Sequence, residues 1–127
     1  MIDAKLHEVL TTPPDAAFTI VTQGPNEPHI ANSWKSYVSI TDDGRFLIPV
    51  GGMIETEENI KRNSIVMLSI TNREVMGKTS KGTGFLIKGS GEFIKGGPDF
   101  DAIKKGFPWA RAALAVTIES AQQTLLQ

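Results

Sequence analysis

The stretch Arg45-Phe46-Leu47-Ile48-Pro49-Val50-Gly51-Gly52-Met53, followed at once by Thr56-Glu57-Glu58-Asn59, decides the fold. An apolar run of strand length ends on two glycines and passes into a helix-start signature, a threonine able to cap with acids behind it. The helix has room only from Glu57 to Arg62, with acids in its first turn and bases in its last, as the macrodipole prefers. So short a helix does not supply the crossover that parallel strands need, and the strands around it are expected to pair antiparallel. Lacking a Cβ, the two glycines let the backbone approach a flat or anionic ligand or take positive φ, and the helix beyond offers unpaired N–H groups. An ordinary turn or bulge is the competing reading of the same pair.

Upstream, Ala17 to Gln23 is rich in β-branched and apolar residues and stops at the turn Gly24-Pro25-Asn26-Glu27-Pro28. His29 to Ile40 reads as a second, long strand, and Thr41-Asp42-Asp43-Gly44 turns the chain into the third, Arg45 to Val50. Before them, Leu6, Val9 and Leu10 lie at helical spacing behind Asp3, and Thr11-Thr12-Pro13-Pro14 stops that helix. Downstream, Ile65 to Thr71 is a fourth strand. Gly77-Lys78-Thr79-Ser80-Lys81-Gly82-Thr83-Gly84 has the composition of a mobile loop that could also hold an anion. Phe85 to Ile94 resumes strand, with Gly89 and Gly91 marking a bulge or sharp bend. Gly96-Gly97-Pro98-Asp99 opens a helix through Lys105, and Ala112 to Ile118 is the closing strand. Six strands with only short helices between them predict a mainly β chain, an antiparallel barrel built as one domain over residues 1–127.

A length of 127 residues is enough to bury roughly two thirds of the unfolded surface around one core. The absence of cysteine excludes disulfides, iron–sulfur clusters, thiolate zinc and thiol nucleophiles. Thirteen basic residues against fourteen acidic ones give no field that would gather nucleic acid. The start Met1-Ile2-Asp3-Ala4-Lys5 has no apolar signal region, and no stretch approaches the ~20 apolar residues of a membrane span. A cytoplasmic protein with neither nucleic acid nor membrane as partner is the expectation. His7 and His29, the two histidines, have no second ligand at metal spacing, and no serine sits in a nucleophile elbow. Neither a metal site nor nucleophilic catalysis is expected.

Four segments carry a family resemblance: Pro28 to Tyr37 (Pro-His-Ile-Ala-Asn-Ser-Trp-Lys-Ser-Tyr), Pro49 to Met53, Gly82 to Ser90 (Gly-Thr-Gly-Phe-Leu-Ile-Lys-Gly-Ser), and Trp109 to Leu114 (Trp-Ala-Arg-Ala-Ala-Leu). In this order and over almost the whole chain, they resemble the small FMN-binding proteins of sulfate-reducing bacteria, which have Asn-Thr-Trp-Asn-Ser-Tyr where this chain has Asn32 to Tyr37. The resemblance implies a six-stranded FMN-binding split barrel with short flanking helices, shared with pyridoxamine phosphate oxidases and flavin reductases. It also implies a homodimer and one noncovalent FMN per subunit near the dimer interface. On the same ground the backbone around Pro49, Val50, Gly51 and Gly52 would meet the flavin ring, Trp34 and Trp109 would pack near it, and Tyr37 would be a further neighbour. Asn32, Ser33 and Thr56 would supply polar contacts along the ribityl phosphate. Asp15 matches an acid in the flavin's electrostatic surroundings, but the role favoured for it is to end the Pro13-Pro14 turn. For the two tryptophans, core or dimer packing is the alternative.

Two departures from the family stand out. Glu55 occupies a position where the relative has Lys, and Lys35 one where it has Asn. A phosphate monoester carries about −1.5 to −2 charge at pH 7, so a carboxylate in place of a cation weakens binding unless another base takes over. Lys35, Lys78 and Lys81 are candidates for that role. Glu55 could instead point into solvent or pair with Lys35. Three functions follow from the resemblance: an FMN-holding electron-transfer protein, favoured here; an FMN-dependent oxidoreductase such as a flavin reductase or pyridoxamine phosphate oxidase; or a flavin-free binding module that lost its phosphate anchor.

Overall fold

The computed structural model describes residues 2–124. The elements run α1 (Ala4–Thr11), β1 (Ala17–Gln23), β2 (Pro28–Trp34), β3 (Ser39–Ile40), β4 (Phe46–Val50), α2 (Ile54–Arg62), β5 (Ile65–Met76), β6 (Lys81–Ile94), α3 (Pro98–Gly106) and β7 (Ala112–Thr124). Every strand pairing is antiparallel, in one seven-stranded sheet of order β2-β1-β5-β6-β7-β4-β3. The edge strands β2 and β3 are neighbours in sequence, so the short link between them spans the open seam of a curled half-barrel.

The count of seven corrects the six expected, and the reason is local. A single 3-10 turn at Lys35–Tyr37 divides the long strand read from His29 to Ile40. Asp15 accepts hydrogen bonds from Ser36 N at 3.0 Å and Ser36 Oγ at 2.7 Å, and Lys35 N donates to Ala16 O at 2.9 Å. The Ala16 bond extends the β1–β2 pairing by one step, and the two bonds to Asp15 then hold Ser36 in the turn, as an Asp side chain does when it competes with regular pairing.

Strands β5 and β6 are longer than the composition suggests and leave only Gly77–Ser80 outside the hairpin's strands. Strand continues past Thr71 because buried Asn72 has a structural task. Its Nδ2 donates to Thr12 O at 2.7 Å and Val9 O at 3.3 Å, tying the hairpin to the end of α1. The bulge expected at Gly89 is present as a register shift between Lys88 and Gly89. A Cβ there would lie 2.2 Å from Thr117 O, so β7 itself demands the glycine.

All five residues of β4 are buried, because the strand is covered on both faces. Phe46, Ile48 and Val50 point into the main core with Leu6, Val9 and Leu10 of α1, while Leu47 packs outward with Ala113, Ala115 and Ile103 of α3. That double cover accounts for the unbroken apolar run in the sequence. The chain therefore leaves the core abruptly at Gly51.

Candidate functional site

Gly51 and Gly52 are exposed between β4 and α2. Helix α2 begins at Ile54, earlier than the sequence suggests, and its cap is Met53 at φ 56°, with no side-chain capping bond. Thr56 is thus not the cap but a fully buried residue of the first turn. The left-handed position also falls on Met53, and neither Gly51 nor Gly52 has a positive φ. A Cβ on Gly51 would approach Cε3 and Cζ3 of Trp109 at 3.3 Å, whereas one on Gly52 would meet nothing within 4 Å. The fold itself gives Gly52 no reason to be glycine.

Residues 107–111 form the wall behind this corner. Tyr37, Phe107 and Trp109 make an aromatic cluster with ring centroids 5.0 to 5.7 Å apart, and Trp109 is still 51% exposed. Arg111 N donates to Val50 O at 2.9 Å. Its side chain donates twice to Gly52 O, from Nε at 3.0 Å and Nη2 at 2.6 Å, and once to Glu57 Oε1, from Nη1 at 2.8 Å. Lys95 Nζ lies 2.7 Å from the other Glu57 oxygen. The hydrogen bond from Lys95, with that from Arg111, holds the Glu57 carboxyl below its ordinary range despite burial, so it stays ionised.

Strand β2 offers its residues differently. Alternation turns Asn32 and Trp34 outward and Ser33 inward, so a single ligand meets all three only along the free edge of the strand. His29 Nδ1 lies 3.1 Å from Glu55 Oε2, which brings the start of β2 beside the start of α2. Lys35, with 3% of its surface exposed, donates from Nζ to Thr71 O at 3.0 Å. Burial pushes its ammonium below the usual lysine range, opposed by the charge of Asp15. Glu55 therefore pairs with His29 and not with Lys35, and Lys81 is engaged by Glu74 at 3.2 Å. Pro49 and Val50 are buried in β4. One buried side-chain atom among the described residues has no hydrogen-bond partner: Thr56 Oγ1 in the first turn of α2.

Over 125 residues, 98% of this chain and 100% of the relative, the sequence is 45% identical to the FMN-binding protein of Nitratidesulfovibrio vulgaris (strain DSM 19637 / Miyazaki F). The chain belongs to this FMN-binding protein family. No protein-family model matches the sequence. Among solved structures, a single-residue variant of HupZ from Group A Streptococcus has a TM-score of 0.77 at 18% identity, covering 98% of this chain and 100% of that one. An FMN-binding protein from Syntrophomonas wolfei subsp. wolfei has a TM-score of 0.69 at 16% identity, covering 97% and 86%. At such identities the likeness speaks for the fold, which is the split barrel.

For a member of the FMN-binding protein family, the corner holds two residues that sequence reading left out of the candidate set. Phe107 completes the aromatic cluster, and Arg111 closes the clamp on Gly52. The signal was the run Phe107-Pro108-Trp109-Ala110-Arg111, two rings and a guanidinium within five residues behind a helix-ending glycine.

Proposed function

We propose that this chain holds one noncovalent FMN per subunit against the Gly51–Gly52 corner and works as a small redox carrier. The observation that carries this reading is Gly52: exposed, without positive φ, and with open space where a side chain would go. A glycine that the fold does not need fits a backbone that must meet a ligand directly. Family membership names the ligand class, and the local chemistry agrees with it. Trp109, and Trp34 at 48% exposure, offer flat apolar surface for an isoalloxazine ring. Thr56 Oγ1 and the first N–H groups of α2 offer donors for a phosphate. When bound, FMN supplies the electron-transfer chemistry, and the protein's part is to hold the ring, fix its surroundings and limit water.

A homodimer completes the proposal. Ile30, Met67 and Leu86 are exposed on the outer face of the sheet, and Val21 pairs with both Ile30 and Met67 across the strands. That apolar face, shared with Trp34, is the surface a second copy would cover.

One observation favours a second reading, a module without tightly held flavin. The carboxylate of Glu55 sits at the start of α2 and Lys35 is committed to Thr71. The absorption spectrum of purified protein, with FMN added to any colourless fraction, tests both. Flavin bands and intact FMN released on denaturation support the first reading; no uptake of added FMN supports the second. NADH consumption by the loaded protein would point to an enzyme instead.

A further inference from the structure

We infer that Arg111 is the positioning residue of the corner: it holds the Gly52 carbonyl on its guanidinium and leaves one net positive charge behind the backbone that faces the ligand. The inference rests on the FMN reading above. Two donors of the guanidinium occupy the Gly52 oxygen, at 3.0 and 2.6 Å, so that oxygen is spoken for within the protein. The same residue holds Val50 O through its own N–H at 2.9 Å, so both carbonyls flanking Gly51 are fixed by one side chain and its backbone. The wall behind Arg111 is itself anchored. Glu57 receives Arg111 and Lys95 on separate oxygens, and the guanidinium carbon lies 5.8 Å from the centroid of the Phe93 ring.

The charges do not cancel. Two cations share one carboxylate, and the Arg111–Glu57 pair is screened less than a surface pair, although the Lys95 ammonium that completes the cluster is half exposed. A flavin ring resting on Gly51 and Gly52 therefore gains most when it carries added negative charge, that is, in its reduced form. Arg111 would favour the reduced ligand over the oxidised one as well as shaping the corner.

The test is the midpoint potential of bound FMN in the full chain with Arg111→Met, Arg111→Lys and Glu57→Gln. Arg111→Met should lower the preference for reduced over oxidised FMN about tenfold, equal to about 30 mV for a two-electron couple. Glu57→Gln should raise it, because it removes the compensating carboxylate. Both substitutions loosen the clamp, so a purely structural role would move the two potentials the same way or not at all, and either result overturns the inference. Arg111→Lys keeps the charge and should keep the potential within threefold of wild type in the same ratio, while FMN binds more weakly. If wild-type protein takes up no FMN, the proposed FMN-holding function fails by itself. Amide exchange at Gly52 and Met53 then decides the clamp: tenfold faster exchange in Arg111→Met supports it, and unchanged exchange overturns it.

Discussion

Two glycine-rich segments, the Gly51–Gly52 corner and the tract from Gly77 to Gly84, look alike in sequence and differ in what requires the glycines. In the hairpin tract the fold accounts for each one. A Cβ on Gly77 would come 2.9 Å from Ser80 O, Gly82 has φ 102°, and a Cβ on Gly84 would come 2.7 Å from Ile70 O. At the corner, a Cβ on Gly51 would meet only the Trp109 ring, and one on Gly52 would meet nothing within 4 Å. Glycine composition marks backbone freedom in both places. Only the three-dimensional surroundings show which glycine the chain needs for itself and which is left to be explained by something outside it.

The sharpest way to break that distinction is to put side chains at both kinds of position and compare stability. Gly84→Ala, or Gly89→Ala with its Cβ 2.2 Å from Thr117 O, forces backbone against backbone. Each should cost about 3 kcal/mol or more, read by urea denaturation. Gly52→Ala should stay within about 0.5 kcal/mol of wild type in the same measurement. A large loss at Gly52 would mean that the corner glycine serves the fold after all.

The anchor behind the corner gives the next largest effect, and it depends on pH. Because Glu57 titrates below its ordinary value, its contribution is fully present above the unfolded pKa near 4.5. It is lost as pH falls through the lower folded value. Glu57→Gln should destabilise the protein by about 2 kcal/mol at pH 7, the scale of hydrogen bonds to charged groups. The gap from wild type should shrink below pH 4.5. A gap that does not change between pH 7 and acid would show that the carboxylate's charge is not what ties Arg111 and Lys95.

Ligand affinity separates the corner from the hairpin once more. Gly52→Val should weaken FMN binding more than tenfold, or about 1.4 kcal/mol, with the melting temperature unchanged. A side chain at the hairpin tip, Lys78→Val, should leave affinity alone. Normal FMN affinity in Gly52→Val would detach the ligand from the corner.

Much of this was legible in the chain. β-Branched and apolar content marked β1, Ile65 to Thr71 reads as the inner half of β5, the apolar run into the Gly-Gly corner marked β4, and the helix placed behind Asp3 is capped by it through Lys5 N and Leu6 N at 2.7 and 3.2 Å. What escaped sequence reading depended on distant partners. The break at Lys35–Tyr37 needs Asp15 from the segment before β1, and the extension of β5 needs Asn72 to reach α1. For the site, the Gly-Gly corner and Trp109 stood out by residue type. Arg111 belongs to the run from Phe107 that could have drawn attention, but its role shows only when Gly52 O and Glu57 stand opposite it. Lys35 misled in the other direction: its position suggested a free cation, and its ammonium is buried against Thr71.

The smallest expected effect concerns Glu55, whose carboxylate is 79% exposed and paired with His29 at 3.1 Å. At an effective dielectric of about 20, unit charges ~6 Å apart interact by roughly 3 kcal/mol before screening. Exposure reduces this to about 1 kcal/mol or less, as for other surface pairs. If a phosphate docks at the start of α2, Glu55 opposes it, and the series Glu55, Glu55→Gln, Glu55→Lys should tighten FMN stepwise, severalfold over the whole series at low salt. The gain should fade at high salt, because the charges are solvent-facing. Riboflavin, which lacks the phosphate, should bind all three proteins alike. Titrating both flavins at two salt concentrations distinguishes the phosphate end of the ligand from the ring end. Equal changes for FMN and riboflavin would place Glu55 nearer the ring, and the α2 N-terminus would then belong with the Gly51–Gly52 corner as one surface for the flavin itself.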